Sequence, residues 1–196
     1  MKDTGKQTRA KIIQTIEDLL AKKSLDQISI REICQKANIA VGTFYIYFSS
    51  KEAALLYVYH QLDEQFEELI LDQQPADNIK TILITYYNMT KLEPLPVYRT
   101  LYCCHLSYYD DYYFDEKRPV FVVLNHEILK LVNNKQVAKE ITWLILDFCR
   151  GRIFNFLIKY QDDVDSWIDE QLQLTMNYLK FLINDKTSGG KICINI

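Results

Sequence analysis

Chain breakers are scarce in this 196-residue sequence, which has only five glycines and four prolines. Both are below average usage. A sandwich or barrel needs turn residues about every ten positions, and this chain does not carry them. Cysteine is present but unpatterned. Cys34, Cys103, Cys104, Cys149 and Cys193 are odd in number and have no Cys-x-x-Cys spacing. That excludes a disulfide framework and a zinc ribbon, and leaves thiols of a reducing compartment as the expectation. No run approaches the ~18 apolar residues of a transmembrane helix, so no membrane partner is expected. The opening "MKDTGKQTRAKII" lacks the apolar stretch of a signal peptide, and the expected location is cytoplasmic. The three histidines, His60, His105 and His126, are scattered. There is no serine elbow, phosphate loop or paired-histidine zinc motif. No enzyme, cofactor or metal is expected.

What is present is apolar content with helical spacing. Hydrophobic residues make up 48% of the chain, enough for a core. The net charge of −3 is unevenly spread. Residues 1–51 carry nine Lys/Arg and five Asp/Glu, and the remainder carry 14 and 21. A basic head on an acidic body directs any polyanion to the head.

In the head, Ile12, Ile13, Ile16, Leu19 and Leu20 form one stripe of a helix over about 6–23. "ISIREICQKA" follows, with Ser29 and Glu32 at capping-box spacing and a second stripe at Ile30, Ile33, Cys34 and Ala37. Asn38 tolerates the left-handed conformation of a tight helix-to-helix turn. "VGTFYIY" is then a third, short helix. On a wheel Val41, Phe44, Tyr45 and Phe48 share one broad side, and Gly42, Thr43, Ile46 and Tyr47 the other. Ser50 caps a fourth helix reaching about residue 72, with Ala54, Leu55, Val58, Leu62, Phe66 and Leu69 inward.

Three short helices with a tight turn before the third are a helix-turn-helix unit, whose third helix enters the DNA major groove. Gly42 has no side chain to block close approach. Thr43 offers a hydroxyl and a methyl, and Ile46 an apolar base contact. Tyr47 suits a phosphate, and Tyr45 either does the same or packs inward. Lys51, at a helix start, suits a phosphate too.

These residues carry a resemblance. "TRAKIIQTIEDLL" and "ISIREICQKANIAVGTFYIYFSSKEAAL" resemble the N-terminal domain of the TetR family of bacterial transcriptional repressors. The match lies at Ser29, Ile33, Gly42, Thr43, Tyr45, Tyr47, Phe48, Ser50, Lys51, Glu52 and Leu55. Cys34, Asn38, Ala40 and Phe44 depart from the usual Ala, Gly, Ser and Leu, and Ala40 loses a cap hydroxyl. The resemblance implies an all-α fold of about nine helices. It implies a DNA-binding domain over 1–50 and an effector-binding and dimerisation domain over 51–184, with 51–72 as the connecting helix. Residues 185–196 are expected to be a disordered tail. It also implies that Arg31 contacts DNA, that double-stranded operator DNA is the partner, and that the protein is a homodimer answering to a small molecule.

The body gives its own support. Further helices are expected near 77–91, 96–109, 118–133, 136–161 and 165–184. The last two are apolar on more than one side, which calls for two partners: the subunit core and a second subunit. Phe148, Ile153, Phe156, Leu172, Met176 and Leu179 are the dimer candidates. Eight of the 14 tyrosines lie within residues 86–113. Such clustering suits an apolar pocket with a few hydroxyls. Tyr86, Tyr87, Met89, Tyr102, His105, Tyr109, Phe121, Trp143 and Arg152 are its candidates, for an aromatic, apolar or cationic effector. The expected function is a repressor released from a palindromic operator by that effector. The alternative is a helical DNA-binding protein without a small ligand, controlled by a protein partner or acting in chromosome organisation.

Overall fold

The computed structural model describes residues 2–92, 94–159 and 163–187. Ten α-helices and three short 3₁₀ turns make up the described secondary structure, with no strand among the described residues. The all-α expectation holds. The extra helix arises at Tyr57, where the expected long fourth helix divides into α4 (Lys51–Leu56) and α5 (Val58–Glu67). Tyr57 keeps right-handed helical angles, and its carbonyl accepts a tighter bond from the His60 N–H. Helix α5 ends at Glu67, so Leu69, expected inward, lies beyond it and is half-buried.

The chain forms two compact units. The first comprises Met1–Leu62 and Glu93–Phe114; the second comprises Asp63–Leu92 and Asp115–Ile196. The sequence places a domain boundary at residue 50, whereas compactness carries the first unit on to Leu62 and adds a later segment to it.

In the first unit, α1 (Lys2–Leu20) buries the expected stripe, with Ile12, Ile13, Ile16 and Leu19 at most 1% exposed. It packs on α2 (Ile30–Lys36) and α4. Ser29 caps α2 by accepting from the Glu32 N–H at 3.2 Å. The Glu32 side chain is paired with Lys23 at 2.5 Å, which ties α2 to the end of α1. Asn38 is left-handed (φ 50°), as expected. It completes a Schellman stop: the Ile39 N–H bonds to the Cys34 carbonyl and the Asn38 N–H to that of Gln35. Helix α3 (Val41–Tyr47) starts from Ala40 with no side-chain cap. Ser50 then caps α4 by accepting from the Ala53 N–H at 3.0 Å. Helix α7 (Leu95–Ser107), which comes later in the chain, packs on α1 and α4 and completes this unit.

The second unit is built from α6 (Pro75–Asn88), α8 (Pro119–Val132), α9 (Lys135–Lys159) and α10 (Val164–Thr187). Helix α8 packs on α9 and α6, and α10 packs on α9, α6 and α8. Asn133, also left-handed, turns α8 into α9 as Asn38 turns α2 into α3. All four prolines stand at helix starts: Pro75 and Pro119 open α6 and α8, and Pro94 and Pro96 flank the first residue of α7. A missing N–H costs nothing there. Helix α10 runs to Thr187, so the first residues of the expected disordered tail are helical, and the rest lies outside the described residues. No helix among the described residues is long and apolar enough to cross a membrane.

Candidate nucleic-acid interface

Helix α3 is held by one narrow ridge. Phe44 is fully buried and Phe48 is 6% exposed, their ring centroids 6.0 Å apart. The opposite face is open. Val41 is 41% exposed, Tyr45 55% and Ile46 76%, and Gly42 is exposed between them. Positions 41/45 and 42/46 are adjacent ridges of one helix face. This corrects the wheel reading by one ridge: Val41 and Tyr45 belong to the open face, not the core side. Tyr45 leans its ring edge-on against Phe44 at 5.6 Å while remaining exposed. Thr43 and Tyr47 lie on the flank, half-buried.

Gly42 sharpens the case. A Cβ built there would meet nothing within 4 Å. The fold itself does not require glycine at this position: it lies in the first turn of α3, its φ is not positive, and a methyl fits. The space over it is open, so a partner can approach the backbone closely there.

The flank is set by α1. The Arg9 guanidinium lies over the Tyr47 ring at 5.1 Å and near that of Tyr57 at 5.8 Å. A Cβ at Gly5 would reach the Tyr47 ring at 3.8 Å, so the start of α1 borders the same side chain. Sequence reasoning did not single out Arg9; its signal is the basic "KQTRAK" segment at the start of α1. Arg31 is exposed in the first turn of α2.

Lys51 has a second task. Its ammonium donates to the Leu25 carbonyl at 2.7 Å and to the Ile28 carbonyl at 2.9 Å. Those carbonyls belong to the first residue and the C-cap of the 3₁₀ turn Leu25–Gln27 that links α1 to α2. An ammonium has three N–H donors, so two are used inside the fold and one is left to point elsewhere.

The effector candidates fall into different units. Tyr102, His105 and Tyr109 belong to the first. Tyr86, Tyr87, Met89, Phe121, Trp143 and Arg152 belong to the second, where the first four are buried. There the Tyr87 hydroxyl is 2.7 Å from the Thr175 hydroxyl, Phe121 packs on Trp143 at 4.8 Å, and Arg152 donates to Gln171. Burial raises the Tyr87 phenol well above its ordinary range and lifts the Cys149 thiol beside it to about 11. Both stay protonated and serve as packed, hydrogen-bonded core. Among the described residues no group of three His, Cys, Asp or Glu could hold a metal ion.

The dimer candidates also divide. Ile153, Phe156, Met176 and Leu179 are at most 6% exposed and lie in the subunit core, which corrects the expectation for these four. Phe148 and Leu172 are half-buried. The apolar side chains left open on α9 and α10 are Phe154 (47% exposed), Ile158 (62%), Leu174 (38%) and Phe181 (62%).

With this geometry in hand, similarity to known proteins is specific. Residues 12–58, which span the second half of α1 and all of α2, α3 and α4, match the sequence model described as bacterial regulatory proteins, tetR family. The HTH-type transcriptional regulator YvdT of Bacillus subtilis is 28% identical over 155 residues, covering 69% of this chain and 77% of that protein. A tetR-family transcriptional regulator structure from Streptomyces coelicolor superposes with a TM-score of 0.65 at 16% identity, covering 94% of this chain and 85% of that one. The regulator FadR from Bacillus subtilis, solved in complex with stearoyl-CoA, superposes at 0.54 with 14% identity, covering 85% and 97%.

Proposed function

The chain belongs to the tetR family of bacterial regulatory proteins and is a DNA-binding transcriptional regulator, and from that premise we propose that it represses as a homodimer on a palindromic operator and is released by a small-molecule effector. The observation that carries the reading is the open face of α3. It is one helix face with an apolar, hydroxyl-bearing surface, a glycine where the backbone is nearest, and a buried phenylalanine ridge behind it. Such a face suits the major groove, with Tyr45 and Ile46 toward the bases and Arg31, Tyr47 and Lys51 toward phosphates. Thr43, on the flank, reaches either.

Dimerisation is supported by Phe154, Ile158, Leu174 and Phe181. They leave an apolar surface on two helices already packed on each other. A twofold axis through that surface gives an isologous contact. Two heads must then match the ~34 Å repeat of DNA, so a modest change in their spacing releases the operator. FadR, crystallised with stearoyl-CoA, is a precedent for binding of a small molecule by a regulator of this fold. The test is a gel shift on the DNA upstream of the protein's own gene, repeated with a compound panel. The expected result is a retarded complex at nanomolar to micromolar protein. At least one compound should both release it and raise the melting temperature, because linkage joins the two effects. A panel in which stabilising compounds leave the complex intact would refute effector control.

A further inference from the structure

The first unit holds a pocket of its own, about 240 Å³ in volume, between the α4–α5 junction and the segment after α7. Its lining includes Tyr57, His60, Tyr108 and Tyr109 together with Asp110 and Asp111. No lysine or arginine is among the described residues that line it. The phenol rings of Tyr108 and Tyr109 beside two carboxylates attract a cation twice, through the ring quadrupole and through charge. The same chemistry disfavours an anion. The volume is below the ~300–1,000 Å³ of pockets for drug-sized ligands, so the occupant is compact. The walls are pre-ordered: His60 stacks on Tyr57 at 4.4 Å and on Tyr112 at 3.4 Å. Asp110 accepts from the Tyr112 N–H at 3.2 Å, which fixes the acidic loop.

Two walls reach the end of the reading helix. Phe48, which closes α3, meets Tyr57 edge-on at 5.6 Å. The Ser49 hydroxyl lies 3.4 Å from that of Tyr108. We propose that this pocket binds a small organic ammonium ion, and that its occupancy alters DNA affinity through the contacts of Tyr57 and Tyr108 with Phe48 and Ser49. The binding half stands on the pocket alone; the coupling half rests on the DNA-binding reading above.

The test is calorimetric titration of the full chain with benzyltrimethylammonium, and with phenylacetate as a ring of similar size and opposite charge. Tyr109 and Asp111 are exposed, and asparagine at 110 keeps an oxygen for the Tyr112 N–H, so Tyr109→Ala and Asp110→Asn/Asp111→Asn are expected to fold as the wild type does. Saturable binding of the ammonium ion but not of phenylacetate is expected, weakened about tenfold or more in each variant. Equal binding of phenylacetate, no binding of the ammonium ion, or variants that bind it unchanged would each overturn the site. At saturating ammonium ion, wild-type DNA affinity should shift about threefold or more and that of the double aspartate variant should not. An unchanged DNA affinity would overturn the coupling and leave the pocket standing. Failure of the unliganded protein to bind any DNA would overturn the regulatory reading instead, with the pocket still judged by the titration.

Discussion

Lys51 in the first unit and Arg118 in the second both tie distant chain segments together, in contrasting ways. Lys51 reaches back 26 and 23 residues to two carbonyls and is only partly buried. Arg118 is 2% exposed and grips the fully buried Asp63, donating from Nε at 2.7 Å and from a terminal nitrogen at 3.0 Å. The first tie keeps a donor available to an outside partner. The second is a closed pair between helix α5 and the start of α8, with nothing offered to solvent. The first tie leaves a charge near the surface; the second commits its charges to fixed geometry inside the unit.

The largest expected effect breaks the closed pair. Arg118→Ala leaves a buried carboxylate uncompensated and should cost ~3–5 kcal/mol in urea unfolding. Arg118→Met with Asp63→Leu should recover much of that loss. If the single variant costs under 1 kcal/mol, the pair does not anchor α5. Next, Lys51→Ala should cost ~1–3 kcal/mol of stability, through two charge-assisted bonds to carbonyls. It should also lower the salt slope of DNA binding by about one. Loss of stability with an unchanged slope would make Lys51 a structural strut alone. Third, Gly42→Ala should keep or slightly raise the melting temperature yet weaken operator binding about tenfold or more, because the methyl enters only the space DNA needs. Unaltered binding would mean the backbone does not approach the groove there. The smallest effect is at Glu32. Lys23, hydrogen-bonded to it, holds its carboxyl below the ordinary range. A depressed folded value stabilises above the unfolded pKa, and that contribution fades as pH falls through the folded one. Glu32→Gln should therefore lower stability slightly at neutral pH and leave it unchanged in acid below the folded pKa, so that the acid limb of the stability curve becomes shallower.

The two units also differ in how far the sequence alone exposes them. The head is built from local signals: Ser29 and Ser50 as caps, Asn38 as a left-handed stop, and one apolar stripe per helix. Each works within a few residues of itself, so each is legible. The exposed ridge of α3 was harder. Over eight residues, positions 41, 44, 45 and 48 are all within one or two ridges. Only the narrow contact of Phe44 and Phe48 with the rest of the unit decides which ridge is buried. The Lys51 tie and the Asp63–Arg118 pair span 23 to 55 residues, and no local pattern encodes them. In α9 and α10 the apolar residues occupy most of the circumference. Pattern therefore shows that two partners are needed but not which side chain meets which, and Phe156 lies inside while Phe154 and Ile158 lie outside. The tyrosine cluster at 86–113 spreads over both units because α7 packs with the head, a tertiary event that composition does not reveal.

The claim that the open face of α3 reads base sequence is tested most directly by selection from a random duplex library, with wild type and Ile46→Ala side by side. The account predicts that wild type enriches an inverted repeat, and that Ile46→Ala, with stability within ~0.5 kcal/mol because the side chain is 76% exposed, relaxes preference at the same position in each half-site. No enrichment by wild type, or an identical motif from the variant, would contradict it.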